Sequence, residues 1–154
     1  MPSQQLTQEI LKRIIINKRI TTVGYIGNLN FSIIEYLVTL GDLHFITDTE
    51  VEYLKDKKVK VHVTNSPFVY GNKLGRKIKY LDLLVVNEIK GFNNFISVIS
   101  TYLPILRKFG YIIFNSGLTE ELVAAINKYC DYVGDDIIVT KINNGICYLE
   151  CKWA

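Results

Sequence analysis

A chain of 154 residues is long enough for one domain with a full core, and a hydrophobic content of 49% excludes a disordered chain. The 18 basic and 15 acidic residues leave a formal charge of +3, weak support for a polyanionic partner. No apolar run reaches the roughly 18 residues that span a bilayer, and the polar start lacks the order of a secretory signal, so a cytoplasmic protein with no membrane partner is expected.

The chain opens with an expected amphipathic helix, about residues 4–18, because Ile10, Leu11, Ile14 and Ile15 recur at helical spacing. "TTVGYI" (Thr21 to Ile26) is β-branched and aromatic and predicts a first strand. "NFSIIEYLVTLG" places Phe31, Ile34, Leu37 and Val38 on one helical face and stops at Gly41. "DLHFITD" predicts a second strand, "VEYLKDKK" a short charged helix or loop, and the alternating "VKVHVTN" a third strand. "SPFVYGNKLGRKIKY" contains Pro67, Gly71 and Gly75 and predicts mostly loop. "LDLLVVNE" is continuously apolar, as in a strand buried on both faces.

A helical stretch is expected from Asn93 to Lys108, with Pro104 kinking it or beginning a new turn. "YIIFN" after Gly110 is a fifth strand, and "LTEELVAAINKY" a helix capped by Thr119 with Glu120 and Glu121 in its first turn. "DIIVTKINNGICYLECKW" predicts a terminal hairpin around Asn143-Asn144-Gly145, pairing Ile137 to Ile142 with Ile146 to Lys152. Cys147, Leu149, Cys151 and Trp153 should then share one face. Alternating strands and helices imply a single α/β domain over 1–154, with a mostly parallel sheet covered on both faces. Cys130, Cys147 and Cys151 have no metal-ligand spacing and read as buried hydrophobes. His44 and His62 sit inside apolar strand runs and read as sheet residues, so no metal site is expected.

This order resembles the class I S-adenosylmethionine-dependent methyltransferases, which are Rossmann-like. "YLDLLVVNE", a helix, then "LPILRKFGYIIFN" is similar to that family's fourth strand and its glycine-marked entry into strand five. The resemblance implies a three-layer sandwich whose seven-stranded sheet has the order 3-2-1-4-5-7-6, with strand 7 antiparallel. S-adenosylmethionine is the implied cofactor, at the carboxyl ends of the strands where their order reverses.

Matched to the family's acidic-x-Gly-x-Gly-x-Gly turn, Gly27 takes the first glycine, followed by Asn28. Tyr25 takes the acidic position, and Leu29 and Phe31 the later glycines. Tyr25 carries no charge for the cationic end of the cofactor, Leu29 adds a side chain near it, and Phe31 could fill part of the pocket. A turn that joins strand to helix and binds nothing is the competing interpretation. Asp48 matches the acid that accepts from both ribose hydroxyls, with Thr49 beside it; a helix N-cap is its alternative. Asn65 and Ser66 stand where the family contacts the adenine amine, or else form an ordinary turn. Asn87 and Glu88 close the fourth strand at the mouth. Glu88 is the candidate general base, with capping or pocket lining as alternatives.

The family's base-amino motif is replaced by "NEIKG", which argues against that chemistry. Lys73, Arg76, Lys77 and Lys79 could grip nucleic-acid phosphates, although a solvated loop is preferred. The expected function is thus a methyltransferase with an open choice of small or macromolecular acceptor. Two alternatives stand beside it: a catalytically inactive binding or assembly module of the same fold, and a Rossmann-like protein holding another nucleotide.

Overall fold

The computed structural model describes residues 5–16, 19–52, 54, 59–134 and 138–152. Strands β1 (Thr22–Gly27), β2 (Asp42–Thr47), β3 (Val59–Val63), β4 (Leu81–Asn87), β5 (Leu106–Phe114), β6 (Ile138–Asn143) and β7 (Ile146–Cys151) form one sheet. Helices α1 (Gln8–Ile14), α2 (Phe31–Leu40), α3 (Gly71–Lys77), α4 (Phe92–Tyr102) and α5 (Glu120–Val133) cover it. The sheet order is β3-β2-β1-β4-β5-β7-β6. Pairs β1–β2, β1–β4, β2–β3 and β4–β5 are parallel; β7 runs antiparallel to both β5 and β6. The fold is therefore the expected three-layer α/β sandwich.

Alternation along each strand divides the core in two. Val23, Tyr25, Leu83, Val85, Ile113 and Tyr148 pack with α1 and α2. Ile26, Leu84, Val86, Ile112, Cys147 and Leu149 pack with α3, α4 and α5. The central strand β4 is buried along its whole length, as its unbroken apolar run requires. Cys147, Leu149 and Cys151 share the expected face, and burial pushes the Cys147 thiol up to about 11. Trp153 and Ile137 lie outside the described residues.

Three segments differ from the sequence expectation. The segment expected as loop folds into a 3-10 turn at Pro67–Val69 and then α3. Gly71 there serves close packing: a Cβ would come within 2.2 Å of the Thr101 carbonyl oxygen on α4. The helix expected to reach Lys108 ends at Tyr102; Pro104 sits in a 3-10 turn, Leu103–Ile105, and Arg107 and Lys108 belong to β5. Phe31 opens α2 but is 53% exposed, so the buried stripe is Ile33, Ile34 and Leu37. At the N-terminus α1 starts after its cap Thr7 and ends at Ile14; residues 1–4 and 17–18 lie outside the described set, as do 53 and 55–58 of the charged segment. Among the described residues no helix is long and apolar enough to cross a membrane.

Candidate functional site

Strand order reverses between β1 and β4, so a crevice opens beyond their carboxyl ends. β1 ends at Gly27 with φ 118, and a Cβ there would lie 1.5 Å from the Asn87 carbonyl oxygen. Only glycine lets the two strand ends meet this closely. The turn after it is held by side chains. The buried Tyr25 hydroxyl donates to the Asn28 carbonyl. Asn87 Nδ2 donates to Tyr25 Oη at 2.8 Å and to the Asn28 carbonyl at 3.0 Å. Asn115 Nδ2 donates to Asn87 Oδ1 at 2.6 Å, and the Leu6 amide donates to Asn115 Oδ1 at 2.7 Å. Asn30 Oδ1 accepts from the Ile33 amide at 3.1 Å and caps α2.

Burial pushes the Tyr25 hydroxyl up to about 12; the hydrogen bond from Asn87 opposes this and the Glu88 carboxylate adds to it. Tyr25 therefore stays a neutral donor near pH 7. It stands at the position that the resemblance matches to an acid, but points its polar atom into the turn's own backbone. Nothing in the local spacing signals this network, because its members come from residues 6, 25, 87 and 115.

A cavity of about 680 Å³ lies on one side of the turn. It is lined by Gly27, Asn28, Asp48, Thr49, Asn65 and Ser66, together with Leu29, Phe68 and Glu88. Seven candidate residues, Glu88 included, from four separate segments thus converge on one space. Asp48 follows the end of β2 and is exposed, and among the described residues its carboxylate has no hydrogen-bond partner. The Thr49 amide donates to Thr47 Oγ1 at 3.3 Å, and the Ser66 amide to Thr64 Oγ1 at 3.2 Å. Leu29 forms part of the wall, whereas Phe31 is not among the lining residues.

A second cavity, about 730 Å³, opens on the other side and is lined by Asn87, Asn115, Leu6, Lys90 and Glu121 among others. Asn28 and Glu88 line both cavities. Asn87 faces only the second and does not join Asp48. Glu88 adopts φ 74, a conformation costly for a residue with a Cβ, and the Asn28 side-chain amide donates to its Oε2. Strain and a fixed partner together hold a carboxylate at the seam.

The two histidines form a separate buried pair. His44 Nδ1 and His62 Nε2 are 2.9 Å apart, the Tyr70 hydroxyl is 3.3 Å from His62 Nδ1, and Lys77 Nζ donates to Tyr70 Oη at 2.8 Å. Lys77 only donates, so Tyr70 Oη accepts from it, and the imidazole tautomers set the direction of the Tyr70–His62 and His62–His44 bonds. Burial lowers both imidazoles below the ordinary value, His62 to about 4 with His44, Lys77 and Lys60 adding to the effect. Among the described residues no group of three or more His, Cys, Asp or Glu side chains gathers as a metal site.

No protein-family model matches the chain, and no curated protein matches it by sequence. Solved structures do match by shape. MycE methyltransferase from the mycinamycin biosynthetic pathway, in complex with Mg, SAH and mycinamycin VI, superposes with TM-score 0.73 at 10% identity over 92% of this chain and 48% of that one. An rRNA methylase from Streptococcus thermophilus superposes with TM-score 0.63 at 13% identity over 94% and 93%. A Streptococcus mutans protein in complex with SAH, provisionally called a methyltransferase, gives TM-score 0.62 at 10% identity over 98% and 99%. The chain spans under half the length of the MycE chains it matches. At these identities the likeness establishes the fold alone, the three-layer α/β sandwich shared with these solved structures.

Proposed function

We propose that the protein is an S-adenosylmethionine-dependent methyltransferase whose acceptor enters the second cavity. The observation that carries this is the meeting of two cavities at Asn28 and Glu88, beyond the strand ends where the sheet order reverses. SAH, the demethylated product of that cofactor, is bound in several of the similar structures, which supports the choice of ligand.

The residues suit the nucleoside part of such a cofactor. The Asp48 carboxylate offers two acceptor oxygens to paired ribose hydroxyls. Asn65 and Ser66 offer an amide and a hydroxyl to the base edge, and Gly27 keeps the crevice floor free of a side chain. When bound, the cofactor supplies an electrophilic methyl group on a cationic sulfonium. Glu88 stands at the seam to accept a proton from an oxygen or nitrogen nucleophile in the second cavity, and Asn28 fixes its orientation.

Tyr25 and Leu29 favour a second reading, a binding or assembly module of the same fold without catalysis. A Rossmann-like protein for a different nucleotide would use the same first cavity. Calorimetric titration separates them. The methyltransferase reading predicts saturable heat with both S-adenosylmethionine and SAH. Heat with another nucleotide alone supports the third reading. No heat with any of them at millimolar concentration supports the second.

A further inference from the structure

The amino ends of β1, β4 and β5 lie at the edge of the sheet opposite the crevice, and they carry a feature that the proposed activity does not use. Leu81 pairs with Leu106 but Leu83 pairs with Tyr111, so residues 107–110 of β5 bulge outward. The bulge is tightly built. A Cβ on Gly110 would come within 2.8 Å of the carbonyl oxygens of both Arg107 and Asp82. Phe109 adopts φ 65, a conformation aromatic residues rarely take, and is 51% exposed. Asp82 anchors the base: its Oδ2 accepts from the Thr21 amide and hydroxyl, each at 2.8 Å, and from the Thr22 amide at 3.1 Å. Its Oδ1 pairs with Arg107 Nε at 3.3 Å.

Cations and rings interleave around this bulge. The Arg107 guanidinium lies 5.4 Å from the Tyr80 ring, Lys79 Nζ 5.7 Å from the same ring, and Lys108 Nζ 5.3 Å from the Phe109 ring. Tyr80 is 42% exposed. A cavity of about 230 Å³ is bounded by Arg19, Arg107, Lys108 and Phe109. Asp82 is its only acidic lining residue among the described residues, and it already holds Arg107. Lys152 follows β7, which runs antiparallel and therefore ends at this same edge.

We infer that this edge is a binding site for single-stranded nucleic acid. Arg19, Lys79 and Lys108 contact phosphates, and the Tyr80 and Phe109 rings stack against bases. Positive charge alone would suit any polyanion. Two partly exposed rings set among those charges, one on a rigid strained turn, select a polyanion with planar groups to stack. The site does not depend on the crevice, since the length of β4 separates them by about 20 Å at ~3.3 Å per residue.

Fluorescence anisotropy of a labelled single-stranded RNA 12-mer with the full chain, without cofactor, tests the inference. Binding should weaken with salt and be stronger than to a duplex of the same sequence. Phe109→Gly suits the backbone at φ 65 and should weaken binding by about tenfold through lost stacking. Lys108→Gln with Arg19→Gln should lower the salt slope by about 1.4. Absence of binding at low salt overturns the inference. So does equal affinity for duplex and single strand with no effect of Phe109→Gly, and so does binding to phosphatidylserine vesicles but not to RNA.

Discussion

Asp48, Tyr25 and Glu88 each carry a separable part of the proposed chemistry. Asp48 lines the first cavity with an exposed carboxylate. Losing charge-assisted bonds to ribose hydroxyls costs about 1.5–3 kcal/mol each, so Asp48→Ala should weaken SAH binding at least about tenfold by calorimetry while leaving the melting temperature unchanged. Tyr25 has the opposite profile. Tyr25→Phe leaves the Asn28 carbonyl with one donor fewer and Asn87 without its hydroxyl partner, and should destabilise the fold by about 1–3 kcal/mol in denaturant titration. Glu88 is held at φ 74, so Glu88→Gly should relieve about 1 kcal/mol of strain and raise stability, yet abolish methyl transfer in any assay where the native chain is active. Of these residues, the place of Asp48 at the end of β2 and beside the first cavity was legible in the sequence, because strand end and distance from Gly27 coincide. Tyr25 was legible only as a missing acid. Its role as a clamp depends on Asn87 and Asn115, which are brought to it by parallel pairing and not by sequence proximity.

At the scale of elements, the strands were readable because burial on one or both faces leaves an alternating or continuous apolar pattern. The Asn-Asn-Gly hairpin was readable because Asn144 and Gly145 both need positive φ, 52 and 79, which those residue types tolerate. Where the reading failed, tertiary contact had overridden local preference. Gly71 looks like a helix breaker, but it is helical because α3 crosses the Thr101 carbonyl. Arg107 and Lys108 continue a helical spacing, but the 3-10 turn at Pro104 and the Asp82–Arg107 pair turn them into β5. Gly71→Ala should therefore cost roughly 1–3 kcal/mol by overpacking, against the gain that helix propensity alone would suggest. The pair His44 and His62 links β2 to β3 and is maintained in neutral form by burial. Their folded values lie below the ordinary 6.5, so the unfolded chain binds protons first as the solution is acidified. The His62 contribution is fully present above about pH 6.5 and is lost as the pH falls towards about 4, and His44 acts in the same direction. His62→Gln should flatten the pH dependence of the unfolding midpoint across that window.

For the whole molecule, one sheet serves two opposite edges. The carboxyl edge gathers the crevice, with Gly27, Asp48, Asn65 and Glu88 arriving from the ends of β1, β2, β3 and β4. The amino edge gathers charge and exposed rings around the β5 bulge. A mostly parallel sheet with one antiparallel strand was implied by the alternation of elements and the closing hairpin, and the strand order by the family resemblance. The division of the crevice into two cavities was not, because it depends on where Glu88 and Asn28 meet across β1 and β4. The central claim is that the first cavity receives the nucleoside of S-adenosylmethionine or its product. A crystal structure of the chain grown with saturating SAH tests it most directly. The expected result places the ribose hydroxyls on the Asp48 carboxylate and the base beside Asn65 and Ser66, with Leu29 as a side wall. Leu29 turned inward to fill that cavity, with SAH absent from it, would contradict the claim.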